Sequence, residues 1–165
     1  MVDRIEPKAG QESVWDYPKP PILEATEKRI RIVFNGVTIA DSTRALRTLQ
    51  TGIPPVYYIP QEDIKMEYLE RTPHHSTCEF KGHADYWTIT VGDRSAKNVG
   101  WSYPDPWQGY EAQKDMIAFY AHLVDEAWVD DELATGPDWK YLGGWVTSEI
   151  VGPFITRERA AADHS

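Results

Sequence analysis

The dipeptide Asn35-Gly36 sits between two apolar segments in KRIRIVFNGVTIAD, residues 28–41. Both residues tolerate positive φ, and a two-residue turn of this kind joins antiparallel strands whose twist it matches. Ahead of it, Ile30, Ile32 and Phe34 alternate with Arg29, Arg31 and Val33. That period of two sets one row of side chains on a buried face. Val37, Thr38 and Ile39 supply the return strand. A chain with this hairpin must build an antiparallel sheet around it.

The rest of the sequence extends the pattern. Seven Trp, nine Tyr and four Phe make up 12% of the chain, beside 12 Pro and 11 Gly. Aromatics suit pleated surfaces and Gly and Pro punctuate turns, so many short strands are expected. Strands are predicted over 56–59, 64–70, 116–120 and 123–129, with a meander from Ser76 to Tyr103 that turns at Gly92-Asp93. Asp41 or Ser42 is expected to cap a short helix over STRALRTLQT, and TSEI at 147–150 matches a small capping box. A faint echo relates IVFNGVTIADS…VYYIPQEDI to ITVGDRSAKNVG…AFYAHLVDE, suggesting two related β-units around one core. The expected organisation is an extended Pro-rich arm at 1–20, a single β-rich domain at 21–155 and a disordered tail at 156–165. Trp15 in the arm would pin it to the body or reach a second subunit of a homodimer.

Charge and cysteine narrow the function. Seventeen basic and 26 acidic residues give a net charge of -9, with no basic stripe to meet phosphates, so no nucleic-acid partner is expected. One cysteine rules out an internal disulfide and any zinc site needing two thiolates, and fits a reducing compartment. The N-terminus lacks an apolar signal core and no apolar run spans a bilayer, so no membrane partner and a cytoplasmic location are expected. No His pair has metal-ligand spacing, and no metal is expected.

The stretch STCEFKGHADYW, Ser76 to Trp87, carries the first site candidates. Read as a strand, it places Cys78, Phe80 and Gly82 on one face and Thr77, Glu79 and Lys81 on the other. Cys78 is then a core residue, or a nucleophile if a base stands near it. Lys81 either pairs with Glu79 in solvent or turns into a polar pocket to meet an anion. Trp101 and Tyr103, ending a strand at Pro104, with Tyr86 beside them, form either a core lid or a pocket wall. Arg44, near the expected helix start, is either a surface residue or the grip on an anion.

At this point VWDYPKPP, IRIVFNGVTIADSTRAL, PPVYYIPQEDI, TCEFKGHADYW, WSYPDP, IAFY and GGWVTSEIVGPF together resemble the domain-of-unknown-function 427 family, from about Val14 to Phe154. The resemblance implies a compact, mainly β domain of the tent type: two antiparallel sheets with short helices, meeting at an angle over a pocket. Asp41, Arg44, Tyr58, Cys78, Lys81, Gly82, Tyr86, Trp87, Trp101, Tyr103, Pro104 and Trp145 match its recurrent motifs. It names no cofactor, and the paired zinc knuckles of tent-type relatives have no counterpart here. Three functions stay open. One is a pocket between the sheets for a small polar or anionic ligand, lined by Arg44, Tyr58, Lys81, Tyr86, Trp101, Tyr103 and Trp145. The second is a nucleotidyltransferase-like group-transfer enzyme with Lys81 and Tyr103 as catalytic candidates. The third is an interaction module forming a homodimer.

Overall fold

Short runs of β-branched and aromatic residues, closed off by Gly, Pro and Asn, go into strands because their side chains pack on a pleated surface. The computed structural model describes residues 5–78, 80–136 and 143–155. Glu79 and the expected tail at 156–165 lie outside them. The strands are β1 (Glu12–Ser13), β2 (Ile22–Ala25), β3 (Ile30–Phe34), β4 (Val37–Ser42), β5 (Leu46–Gln50), β6 (Ile53–Ile59) and β7 (Leu69–Cys78). They continue as β8 (Gly82–Val91), β9 (Arg94–Ser102), β10 (Ile117–Phe119), β11 (Glu126–Val129), β12 (Glu132–Leu133) and β13 (Ile150–Val151). Among the described residues the only helical pieces are 3₁₀ turns, as at Gln61–Asp63, Glu111–Gln113 and Ala121–Leu123. None of them is long and apolar enough to cross a membrane.

The protein is mainly β, as its alternation predicts. Seven strands form an open antiparallel sheet in the order β2-β5-β6-β10-β9-β8-β7, and four form a second in the order β12-β11-β3-β4. The predicted hairpin is β3–β4, with Asn35 at φ 47° and Gly36 at φ 78°. The second tight turn, at Gly92-Asp93, joins β8 to β9.

The echo in the sequence has a counterpart in the strand pairing. β2 and β3 with β4 and β5 make a broken hairpin; β8 with β9 makes a continuous one. Each hairpin hands on to a short central strand, β6 or β10, followed by a 3₁₀ turn at Gln61–Asp63 or Ala121–Leu123. The strand after that turn crosses to the other unit: β7 pairs with β8 and β11 pairs with β3. β6 and β10 pair with each other, Ile59 opposite Ile117 and Tyr58 opposite Ala118. This is the connectivity of two β-units exchanging their last strands.

Three local expectations are corrected. The segment after Ser42 is the strand β5, not a helix. It is hydrogen-bonded on both edges, to β2 and β6, and two full ladders outweigh a weak helical period in a stretch holding several threonines. Residues 64–70 hold a 3₁₀ turn, Met66–Tyr68, before β7 begins at Leu69. The TSEI segment makes one turn, with the Ile150 amide donating to the Thr147 carbonyl at 3.1 Å, and then enters β13.

β13 runs parallel to β1 and fastens the N-terminal arm to the body. Val14 and Tyr17 are buried with Leu49 and Ile150. Trp15 meets its own chain, its indole Nε1 donating to the Pro153 carbonyl at 2.8 Å. Arg47 on β5 donates to both Glu12 oxygens at 2.8 Å, and Tyr17 adds a third bond to that carboxylate.

β6 is buried along its whole length, which locates two cores. Tyr57 and Ile59 face the four-stranded sheet and join Ile30, Phe34, Ile89 and Phe119 in the main core. Val56 and Tyr58 point the other way, as successive strand residues must. There they join Ala84, Trp101, Tyr103, Met116 and Ala118 in a second cluster, on the face turned away from the four-stranded sheet.

Candidate functional site

The second cluster lies beneath a wrap of consecutive turns. The amide of Trp107 donates to the Lys81 carbonyl, Tyr110 to Trp107, Gln113 to Tyr110, and Met116 to Gln113, all at 2.9–3.1 Å. Tyr110 fixes the wrap at its middle by donating its hydroxyl to the Pro21 carbonyl at 2.6 Å. These turns follow from the sequence after Tyr103, where Pro104, Pro106 and Gly109 deny the segment a ladder.

Lys81 enters from the β7–β8 connection. The expected single strand through this stretch is interrupted: β7 stops at Cys78, Phe80 and Lys81 are in a turn, and Gly82 restarts the chain at φ 119°. A left-handed φ there is open to glycine at little cost. It sends the Lys81 side chain inward instead of along the solvent face, so Lys81 is only 5% exposed. Its ammonium donates to Thr48 Oγ1 at 3.0 Å and to the Tyr58 hydroxyl at 3.2 Å, and lies 5.0 Å from the centre of the Tyr58 ring. The Trp101 indole donates to the same Tyr58 oxygen at 3.2 Å.

The hydrogen-bond account at this point is one-sided. The Tyr58 and Thr48 oxygens act as acceptors, and a lysine ammonium carries three donors and no acceptor. Among the described residues, no acceptor takes the third ammonium hydrogen, the Tyr58 hydroxyl hydrogen or the Thr48 hydroxyl hydrogen, and no carboxylate pairs with Lys81. Gln113, on the wrap, is 0% exposed, and among the described residues neither its amide nitrogen nor its amide oxygen has a partner. Most buried side-chain polar atoms in proteins are satisfied, so such a group calls for an explanation.

Tyr103 stands against Tyr58, ring centres 6.3 Å apart, with the half-buried thiol of Cys78 nearby. Burial, then the neighbouring Tyr58 and Cys78, raises its phenol far above the ordinary value of 10.0. Burial also pushes Tyr57, in the main core, up to about 12. A group whose folded value is raised stabilises the fold below its unfolded value and ceases to as pH climbs toward the folded one. Stability is therefore expected to hold to about pH 10 and then fall by roughly 1.4 kcal/mol per pH unit for each such tyrosine. Urea unfolding at a series of pH values from ~9 to ~11.5 checks this, and a flat profile above pH ~10 contradicts it.

The sequence candidates thus divide. Tyr58, Lys81, Trp101 and Tyr103 come together, and the half-buried Tyr86 packs at their margin, its hydroxyl 2.9 Å from Ser76 Oγ. Arg44 lies elsewhere, on the exposed β4–β5 turn, forked onto Asp63 at 2.7 and 3.1 Å. Trp145 lies in the main core, donating to the Phe119 carbonyl at 2.8 Å. The space between the two sheets is filled by that core, and the gathered candidates occupy the opposite face. Thr48 belongs to the cluster through its bond to Lys81, and Gln113 is buried on the wrap; neither was marked by the sequence. Thr48 fell inside the expected helix, and nothing in the pattern EAQKD marks a buried amide. Among the described residues no group of three or more His, Cys, Asp or Glu is placed to hold a metal ion.

Gly143-Gly144 holds one wall in place. A Cβ on Gly143 would fall 2.2 Å from the Trp101 ring, and one on Gly144 would fall 2.4 Å from the Pro54 carbonyl oxygen. Gly143→Ala, also strained at φ 83°, is expected to displace Trp101 and shift the tryptophan emission, at a cost of ~2 kcal/mol or more by urea unfolding. An unchanged emission spectrum and midpoint would show that the ring does not need this space.

These features define a mainly antiparallel β protein with a buried, cation-bearing aromatic cluster on the outer face of its larger sheet. Comparison with known families gives its kind: residues 22–130 match the family described as Domain of unknown function (DUF427), and the chain belongs to that family. No curated protein matches the chain.

Proposed function

We propose that this protein binds a small anionic molecule, bearing a carboxylate or phosphate, at the Lys81 cluster beneath the 104–115 wrap. The observation that carries the reading is the Lys81 ammonium, buried against two neutral hydroxyls and a ring. Among the described residues no counter-charge faces it; a buried cation left so costs several kcal/mol, and an anion in contact with it would offset that cost. The surplus donors on Tyr58 and Thr48 suit the same oxyanion, and the Gln113 amide could read a polar group attached to it. Trp101, Tyr103 and Tyr86 would supply apolar and edge contacts to the rest of the ligand. Entry would require the wrap to lift at Trp107, which is the exposed end of the turn series.

Binding is preferred over group transfer because Tyr103 holds its proton too tightly for a general acid, which works best near the operating pH. The single thiol of Cys78 is consistent with a reducing, cytoplasmic setting.

A thermal-shift screen with carboxylate- and phosphate-bearing metabolites, and their neutral amide analogues as controls, tests the proposal. At ~100 times its dissociation constant a true ligand adds about 2.7 kcal/mol, several degrees of melting temperature for a domain of this size. The expected result is a shift with the wild type and none with Lys81→Met. Equal shifts in both proteins, or shifts from none of the anions, would sink the idea.

A further inference from the structure

A second concavity lies on the outer strands β7, β8 and β9, where its His74 meets Tyr86 at the margin of the Lys81 cluster, ring centres 4.4 Å apart. β7 is the edge of the seven-stranded sheet, and its pairing with β8 slips between Arg71 and His75, around Pro73. One strand further in, the β8–β9 register slips between Trp87 and Ile89, and Asn98 on β9 takes a left-handed φ of 53°. Two irregularities side by side open a groove of about 490 Å³ lined by Arg71, Thr72, His74, Thr88, Lys97 and Asn98. Bulges gather beside binding sites because they re-aim side chains out of the regular ladder.

The floor of the groove is organised. Thr72 Oγ1 donates to Asn98 Oδ1 at 2.8 Å, the Asn98 amide N–H donates to Thr88 Oγ1 at 3.2 Å, and the His74 amide donates to Thr72 Oγ1 at 3.2 Å. That pattern leaves the Asn98 side-chain nitrogen and the Thr88 hydroxyl hydrogen without acceptors among the described residues. Two cations flank this floor. Arg71 lies over the Trp87 ring at 5.0 Å and meets Asp85 at 3.6 Å through one nitrogen, and among the described residues its other donors have no partner. Lys97 is in no ion pair with a described residue, and Glu70 is the one acid among the described residues of the lining.

We propose that this groove binds the phosphate or sulfate ester of a small molecule, independently of the Lys81 cluster. A tetrahedral oxyanion offers many acceptors and no strong donor, the complement of a floor with surplus hydroxyl and amide donors between an arginine fork and a lysine. Arg71 and Lys97 give the anion a local target on a chain of net charge -9, offset in part by Glu70 in the lining and Asp85 beside Arg71.

Titrating inorganic phosphate and then pyrophosphate into the full ¹⁵N-labelled chain at low ionic strength tests this. The expected result is saturable movement of the Thr72, Thr88, Lys97 and Asn98 amide signals by ~20 mM, with affinity lowered about tenfold by Lys97→Glu and by Arg71→Gln. Thr88→Val, which removes one donor and no charge, is expected to weaken binding by a smaller factor, and Lys81→Met to leave it unchanged. Shifts that do not saturate, shifts indifferent to Lys97→Glu, or shifts lost in Lys81→Met would each overturn the proposal. The last of these would assign the ion to the Lys81 cluster and leave that site standing.

Discussion

Trp145→Ala is expected to lower the unfolding free energy by about 3–5 kcal/mol, a large part of the 5–15 kcal/mol that holds an ordinary domain folded. Trp145 is 1% exposed and tilts against the Tyr57 ring at 5.3 Å. Its indole is the donor for the Phe119 carbonyl. The truncation therefore opens a cavity in the main core and strands a buried carbonyl, and the two penalties add. Urea unfolding should show a lower midpoint with an unchanged slope. Trp145→Phe fills most of the volume and should recover about half the loss, the remainder reporting the missing indole hydrogen bond. A midpoint within ~0.5 kcal/mol of wild type for the alanine variant would mean that this tryptophan is not a core residue.

Lys81→Met is expected to do the reverse. It removes a desolvated ammonium while keeping the length of the side chain, so the ligand-free protein should be as stable as wild type or more stable by ~1–3 kcal/mol. Ligand affinity should fall at least a hundredfold, about 2.7 kcal/mol, because the charge that answers the anion is gone. Tyr58→Phe separates the parts of the cluster. It leaves the Lys81 ammonium and the Trp101 indole each short of an acceptor, and should cost ~1–3 kcal/mol of stability with weaker ligand binding. A residue that lowers stability when kept and affinity when removed is the mark of a site maintained for binding. A strong loss of stability in Lys81→Met would instead make Lys81 a structural residue.

Much of the fold is legible in the sequence where the chemistry is local. Asn35-Gly36 and the Ile30–Phe34 alternation specify their hairpin because turn type and period are properties of a few adjacent residues. The strands after Met116 and the turn at Gly92 are readable for the same reason. β5 is not, because what makes Leu46–Gln50 a strand is pairing with β2 and β6, which the segment itself does not contain. The site follows the same division. Lys81, Tyr58, Trp101 and Tyr103 stand out as unusual residue types in motif positions, and the fold gathers them. Lys81 reaches the cluster because Gly82 takes a left-handed φ, an irregularity that a glycine next to Lys81 allows for but does not fix. Arg44 and Trp145 share the motif set but not the location: one is spent on Asp63 and the other on the core. Thr48 enters through tertiary packing alone.

Ligand binding by this protein turns on an anion seated against Lys81. The most direct measurement is the diffraction of crystals grown with whichever anionic compound raises the melting temperature most. Difference density for its carboxylate or phosphate is predicted within ~3 Å of Lys81 Nζ, with a ligand oxygen also in reach of the Tyr58 or Thr48 hydroxyl and the 104–115 wrap lifted or reordered around it. Density for that compound elsewhere, with the Lys81 ammonium still held only by Thr48 and Tyr58, would contradict the account.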